Sequence, residues 1–123
     1  MMKPNLVLDF VLQEEKIFFC IRNLSKHPAT NLSFKFSQPL MARNGHLRVD
    51  KLPLFKHLDY FAPKKEIRLF IDSATSFLAH HPERKMTISV KYLDQDSEKH
   101  VQSFKHDLEL FNQLPLGTAI DFI

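Results

Sequence analysis

The sequence predicts an all-β domain, an immunoglobulin-like antiparallel β-sandwich of about seven strands. Short segments alternate apolar and polar residues with period two, and turn residues separate them at short intervals. No segment is long enough to supply the helical crossovers that a parallel α/β fold requires. The chain has 123 residues, of which 44% are apolar, so one domain can bury its own core.

The first half of the chain contains three predicted strands. Two of them flank a polar turn at residues 13–16, and the third, which has the cleanest alternation, follows a loop at residues 23–28. One face of each strand is apolar, and the residues on these faces are Leu6, Leu8, Phe10 and Leu12, then Ile17, Phe19 and Ile21, then Leu32, Phe34 and Phe36.

The middle of the chain is less regular. Residues 38–51 contain the breakers Pro39 and Asn44-Gly45. Residues 52–61 are apolar but ambiguous, because Pro53 would be tolerated only on an edge strand. A strand is predicted at residues 67–71, and one or two helical turns at residues 74–81.

The last two strands are predicted to form a hairpin around a loop at residues 94–97. The first carries Met86, Ile88, Val90 and Tyr92 on one face, and Phe104 and Leu108 anchor the second. The predicted core comprises Leu8, Phe10, Phe19, Ile21, Leu32, Phe34, Leu69, Ile88, Val90 and Phe104.

The pattern divides the chain into a sandwich at residues 1–110 and an apolar tail at residues 111–123. An exposed apolar end would promote aggregation, so we expect the tail to dock on a sheet edge, a second copy or a neighbouring domain. The tail residues expected to make this contact are Leu114, Leu116, Ile120 and Phe122.

The single cysteine, Cys20, allows no internal disulfide. The start of the chain lacks the apolar core of a signal peptide, and no segment has the apolar length of a membrane span. We therefore expect a soluble, cytoplasmic protein. If the chain is instead one domain of a larger tethered protein, it could meet a membrane surface.

Several segments occur in a characteristic order. Residues 18–25 (FFCIRNLS) precede residues 28–32 (PATNL), residues 61–67 (FAPKKEI) form a turn before a strand, and residues 88–92 with 104–108 form a closing hairpin. Over residues 5–110 this order resembles that of bacterial CARDB-type domains, with Lys64 where that family often has glycine. The resemblance implies an immunoglobulin-like adhesion or accessory module that is not an enzyme and has no catalytic residues.

The residues themselves give no catalytic constellation. The chain contains no G-x-S-x-G motif, no phosphate-binding loop and no H-E-x-x-H motif. Cys20 lies in a predicted strand beside Phe18 and Phe19, where a thiol is packed and inert. Carboxylate pairs such as Glu14-Glu15 and Asp94/Asp96 lie in predicted turns, where solvation is the ordinary explanation. We therefore expect no enzymatic activity and no small-molecule substrate.

Seven histidines raise the question of a metal site. The adjacent pair His80-His81 would point apart in an extended chain, and His100 and His106 would lie about 20 Å apart on one strand. Residues 94–98 lack the glycine and the distal glutamate of a calcium loop. A cross-strand site that includes His57 or His80 stays open, but the spacing predicts no metal and no cofactor.

Lysine and hydroxyl side chains occupy the outward positions of the third strand and of the last two. If Phe34, Ile88 and Phe104 point inward, period two sends these side chains to one solvent-exposed face, with Asp107 as its main carboxylate. The net charge of +3 is mild, and the face lacks arginine and aromatic platforms, so nucleic acid is disfavoured. The lysines expected to contact a partner are Lys35, Lys85, Lys91, Lys99 and Lys105.

Two hypotheses of function follow. The leading one is a non-catalytic interaction module that binds a protein partner, or a second copy, through the lysine face or the apolar tail. The alternative is a small metal-binding protein or enzyme with a His/Asp site assembled from loops.

Overall fold

The computed structural model describes residues 4–121, and its antiparallel β-sheets confirm the predicted all-β sandwich. Two short helices, α1 (Pro53–Lys56) and α2 (Ala74–Ala79), and two 3-10 turns (Val49–Lys51 and Leu108–Asn112) occupy the connections. The strands are β1 (Leu6–Gln13), β2 (Lys16–Asn23), β3 (Ala29–Phe36), β4 (Met41–Ala42), β5 (Leu47–Arg48), β6 (Leu58–Phe61), β7 (Glu66–Ser73), β8 (Lys85–Leu93) and β9 (Lys99–Asp107).

Two sheets form the sandwich. One has three strands in the order β1-β2-β7, and the other has four in the order β6-β3-β8-β9. The chain changes sheet after β2, after β6 and after β7, whereas β1-β2 and β8-β9 are antiparallel hairpins. This is an immunoglobulin-like arrangement, and it brings the third strand and the last two into one sheet, as predicted.

The core lies between the two sheets. Seven of the ten predicted core residues are buried, and the other three, Phe34, Leu69 and Phe104, are partly buried and pack against the same cluster. The predicted alternation of β1 is confirmed, because Leu6, Leu8, Phe10 and Leu12 are all buried. Period two therefore identified the inward faces correctly.

Partial burial sets the expected effect of removing the Phe34 ring. A fully buried phenylalanine costs about 3–5 kcal/mol when it is replaced by alanine. Phe34 is only partly buried, so we expect Phe34→Ala to lower the free energy of unfolding by only about 2 kcal/mol. Urea denaturation measures this loss, and a loss as large as that of a fully buried ring would contradict the observed exposure.

The segment between β3 and β6 is more ordered than the sequence indicates. β4 and β5 pair as a two-residue ladder, and Pro53 begins α1 instead of occupying an edge strand. The short edge strand β6 starts only at Leu58. α1 carries Phe55 into the core, where its side chain is 1% exposed.

The helices of the structure are short. α2 begins at a cap in which the Ser73 side chain accepts a hydrogen bond from the Ser76 N–H, at 3.3 Å, and it buries Phe77. Neither α1 nor α2 is long and apolar enough to cross a membrane, and no other helix of the described residues is.

Candidate functional site

The outer surface of the four-stranded sheet carries the predicted lysines. β8 and β9 pair without a shift from Lys85↔Asp107 to Leu93↔Lys99, and Lys35 on β3 lies opposite Ser89 on β8. Met86, Ile88 and Val90 are buried, so the odd-numbered residues between them face outward. We call this surface the lysine face, and its lysines are Lys35, Lys85, Lys91, Lys99 and Lys105.

The lysine face has an unbalanced charge. Asp107 is the one carboxylate at the outward positions of β3, β8 and β9, and it accepts a hydrogen bond from Lys85 at 2.9 Å. That hydrogen bond lowers the pKa of Asp107. The lysines at positions 35, 91, 99 and 105 form no salt bridge with any residue that the structure describes.

Small side chains between the lysines leave shallow clefts on this face. A cleft of about 310 Å³ is bounded by Lys35 and Lys91, and a neighbouring one of about 420 Å³ by Lys91 and Lys99. Val101, which is 60% exposed, lines both. The arrangement places amino groups around an apolar floor.

β9 is an edge strand with free main-chain groups. The Asp94 N–H donates to the Glu98 carbonyl at 3.0 Å, and the Leu108 N–H donates to the Arg84 carbonyl at 2.8 Å. Even-numbered residues of β9 therefore bond to β8, and the N–H and C=O groups of its odd-numbered residues point to the open edge. No strand within residues 4–121 pairs with that edge.

The structure places part of the predicted tail on the same domain. Ile120 exchanges two main-chain hydrogen bonds with Leu12, at 2.8 and 2.9 Å, and Leu114 and Ile120 pack against the core. Leu116 is 88% exposed, and Phe122 lies outside the described residues. The tail thus extends the three-stranded sheet at its β1 edge.

The hairpin between β8 and β9 brings together three potential metal ligands, although the sequence pattern predicts no metal site there. Asp94, Glu98 and His100 each have one ligand atom within 4.8 Å of the others. The Asp94 carboxylate accepts hydrogen bonds from two backbone N–H groups and from His100 Nε2, the last at 2.6 Å, and the His100 hydrogen bond lowers its pKa. The spacing D-x3-E-x-H across a predicted hairpin is the signal in the sequence that could have indicated this cluster.

The adjacent histidines do not lie in extended chain, because they follow α2. His81 is fully buried, with Nδ1 2.6 Å from the Phe77 carbonyl, to which it donates, and Nε2 accepting from the Met41 N–H at 3.0 Å. Burial lowers the pKa of His81. The helical turns predicted at residues 74–81 are confirmed by α2, and His81 is a structural link between α2 and β4.

The fold also sets the surroundings of one serine and of the single cysteine. Ser76 donates to Asp72 at 2.6 Å. His80 Nδ1 lies 3.4 Å from the Ser76 hydroxyl but donates to the Ser76 carbonyl at 2.8 Å, so His80 does not accept the hydroxyl proton. Cys20 is fully buried, and burial raises its pKa to about 12, which keeps the thiol protonated.

Comparison with known proteins shows the family of this chain. The model of the domain of unknown function DUF8453 matches residues 1–112, and the chain belongs to this family. No curated protein and no solved structure matches the chain.

Proposed function

We propose that this DUF8453 domain is a non-catalytic module that binds an acidic, extended segment of a protein partner along β9. The observation that carries the proposal is the set of unpaired lysines on the lysine face beside the open edge of β9. A partner strand at that edge would complete the hydrogen-bonding of the odd-numbered residues. It would also bring its own side chains against the lysines.

The spacing of the lysines suits such a segment. Lys99 and Lys105 are six residues apart on β9, which is about 20 Å in an extended chain. A paired strand holds each of its residues about 4.5–5.5 Å from the residue opposite, so glutamates of the partner would meet these two amino groups directly. Lys91 on the next strand adds a third positive charge at longer range.

The apolar position between the lysines, Val101, adds contact area on the outward side. Because successive side chains of a strand point to opposite faces, a segment that alternates acidic and β-branched residues would turn all its acidic side chains toward the lysine face. The methylene groups of the glutamate opposite Val101 would cover part of its exposed surface, so such a segment matches β9 in charge and in contact area. The same alternation would favour the extended conformation in the free partner.

Other partners fit the face less well. Arginine and aromatic residues are absent from the outward positions of β3, β8 and β9, which all lie in the described part of the chain, so bases have no stacking platform there. The tail residues Leu114 and Ile120 are already packed on this domain, so they offer less apolar surface to a second copy.

Charge reversal tests the proposal. The probe is an eight-residue peptide of alternating glutamate and valine, and its affinity is measured by fluorescence anisotropy at about 0.05 M and about 0.3 M salt. We expect Lys91→Glu with Lys105→Glu to weaken binding at least about tenfold at low salt, because the reversal replaces two attractive charges with repulsive ones. The effect should shrink at about 0.3 M salt, because the screening length is already only about 10 Å at ~0.1 M salt and falls further as salt is added.

The matched control reverses two exposed lysines outside the lysine face, Lys51 and Lys56. This variant carries the same net charge as the first but keeps the face intact, so it should bind the peptide like the native chain. Equal weakening in both variants would show a non-specific response to net charge and would refute the proposed site.

A further inference from the structure

We infer that Asp94, Glu98 and His100 form a binding site for Zn²⁺ in the turn between β8 and β9. This site is separate from the edge of β9 on which the proposed function rests. Its three side chains come from one hairpin, because antiparallel pairing sets Asp94 opposite Glu98 and leaves His100 two residues further along β9.

The burial of Asp94 points to a cation. Its side chain is 3% exposed, yet no lysine or arginine within residues 4–121 lies in salt-bridge distance of its carboxylate, whose side-chain partner there is His100. A buried carboxylate is normally paired with a cation or bound to a metal. The Glu98 carboxylate is exposed and forms no ion pair with the described residues, so it is available as a ligand on the solvent side.

The ligand set selects the kind of ion. Two carboxylates and an imidazole provide oxygen and nitrogen, which Zn²⁺ accepts at about 2.0–2.2 Å with a water molecule as the fourth ligand. Ca²⁺ and Mg²⁺ prefer oxygen alone. The ligand atoms lie within 4.8 Å of one another, so small side-chain movements bring them to one ion. To bind Zn²⁺ through Nε2, the neutral His100 ring carries its one proton on Nδ1.

Neighbouring contacts hold the two inner ligands in place. The N–H groups of Asp96 and Glu98 donate to Asp94 Oδ1 at 2.8 and 3.0 Å, and the His100 ring stacks on Tyr92 with centroids 5.3 Å apart. The direct Asp94–His100 hydrogen bond holds the hairpin when no metal is bound. Chelation should therefore leave the protein folded, and added Zn²⁺ should stabilise it further.

Calorimetry and thermal melting of chelator-treated protein test the inference. Titration with Zn²⁺ should show one ion per chain with a micromolar dissociation constant. The melting temperature should rise by about 5–10 °C when free Zn²⁺ exceeds the dissociation constant by roughly 100-fold. Ca²⁺ and Mg²⁺ should produce neither effect.

Three variants make the test specific. Glu98→Gln alters an exposed side chain, so it should fold normally and bind Zn²⁺ at least about tenfold more weakly. His100→Gln should lose binding in the same way. Asp96→Asn removes a charge from the same turn but no proposed ligand, and it should bind Zn²⁺ like the native chain. The inference is overturned if Glu98→Gln and His100→Gln bind Zn²⁺ normally, if Ca²⁺ binds equally well, or if the native chain shows no saturable binding.

Discussion

Replacing Phe55 with alanine is expected to lower the free energy of unfolding by about 3–5 kcal/mol, the largest effect that we expect of a single substitution in this chain. Phe55 is 1% exposed, and its ring lies 5.1 Å from that of Phe34, 5.3 Å from that of Phe36 and 6.1 Å from that of Phe19. The side chain joins α1 to both sheets, so its loss leaves a cavity that few neighbours can fill.

Urea denaturation measures this loss, and Phe70→Ala is the matched control. Phe70 is 52% exposed on the three-stranded sheet, so the same substitution there should cost less than about 1.5 kcal/mol. If the two substitutions lower the free energy of unfolding equally, Phe55 is not packed in the core as the structure shows.

His81 is the second residue whose replacement should have a large effect. His81→Leu preserves most of the apolar packing but leaves the Phe77 carbonyl and the Met41 N–H without their partner. Each unsatisfied buried group costs about 1–3 kcal/mol, so we expect the two groups together to lower the free energy of unfolding by at least about 2 kcal/mol at pH 7.5.

The stability of the native chain should also depend on pH through His81. Burial lowers the pKa of this group below its ordinary value of 6.5, so the unfolded chain binds the proton more readily than the folded one. The contribution of the neutral His81 ring to the free energy of unfolding is therefore fully present above about pH 6.5, and it is lost as the pH falls toward the lowered pKa. Burial lowers the pKa of His106 as well, so His106 adds a further loss of stability as the pH falls.

Unfolding free energies measured at pH 7.5 and pH 5.5 separate this contribution. The difference between the two pH values should be smaller in His81→Leu than in the native chain. His57→Gln is the control, because His57 is exposed, and it should retain the native difference. An unchanged pH dependence in His81→Leu would contradict a neutral, buried His81.

Local alternation was sufficient to predict the six long strands, β1 to β3 and β7 to β9, and the position of the lysines on them. Once Ile88 and Val90 are assigned to the core, period two sends Lys85 and Lys91 outward, and the structure has this arrangement. The prediction for β3 also holds, although this strand is irregular. Asn31 has a φ of 51°, and the ladder to β8 shifts between Thr30 and Ser33.

Properties that depend on contacts between distant segments could not be predicted in this way. Pro53 is compatible with an edge strand or with the first turn of a helix, and the space that Phe55 fills in the core favours the helix. The burial of His81 depends on a hydrogen bond to β4, forty residues away. Lys64, in the turn before β7, has a φ of 59°, a backbone conformation that glycine adopts without strain.

The cluster of proposed metal ligands was not predicted from the sequence for a related reason. His100 and His106 are far apart along one strand, whereas Asp94 and His100 meet across the hairpin. Pairing across a turn is as regular as alternation along a strand, so a search for ligands in a β-protein has to consider both the spacing along one strand and the pairing between neighbouring strands.

An NMR titration with the glutamate–valine peptide at low salt tests the central claim most directly. If the peptide adds to β9, the largest amide shifts should fall on Lys99, Val101, Ser103 and Lys105, whose N–H groups point to the open edge, and these amides should become protected from exchange. Shifts confined to the three-stranded sheet, or no shifts at millimolar peptide, would contradict the proposed binding of an acidic segment along β9.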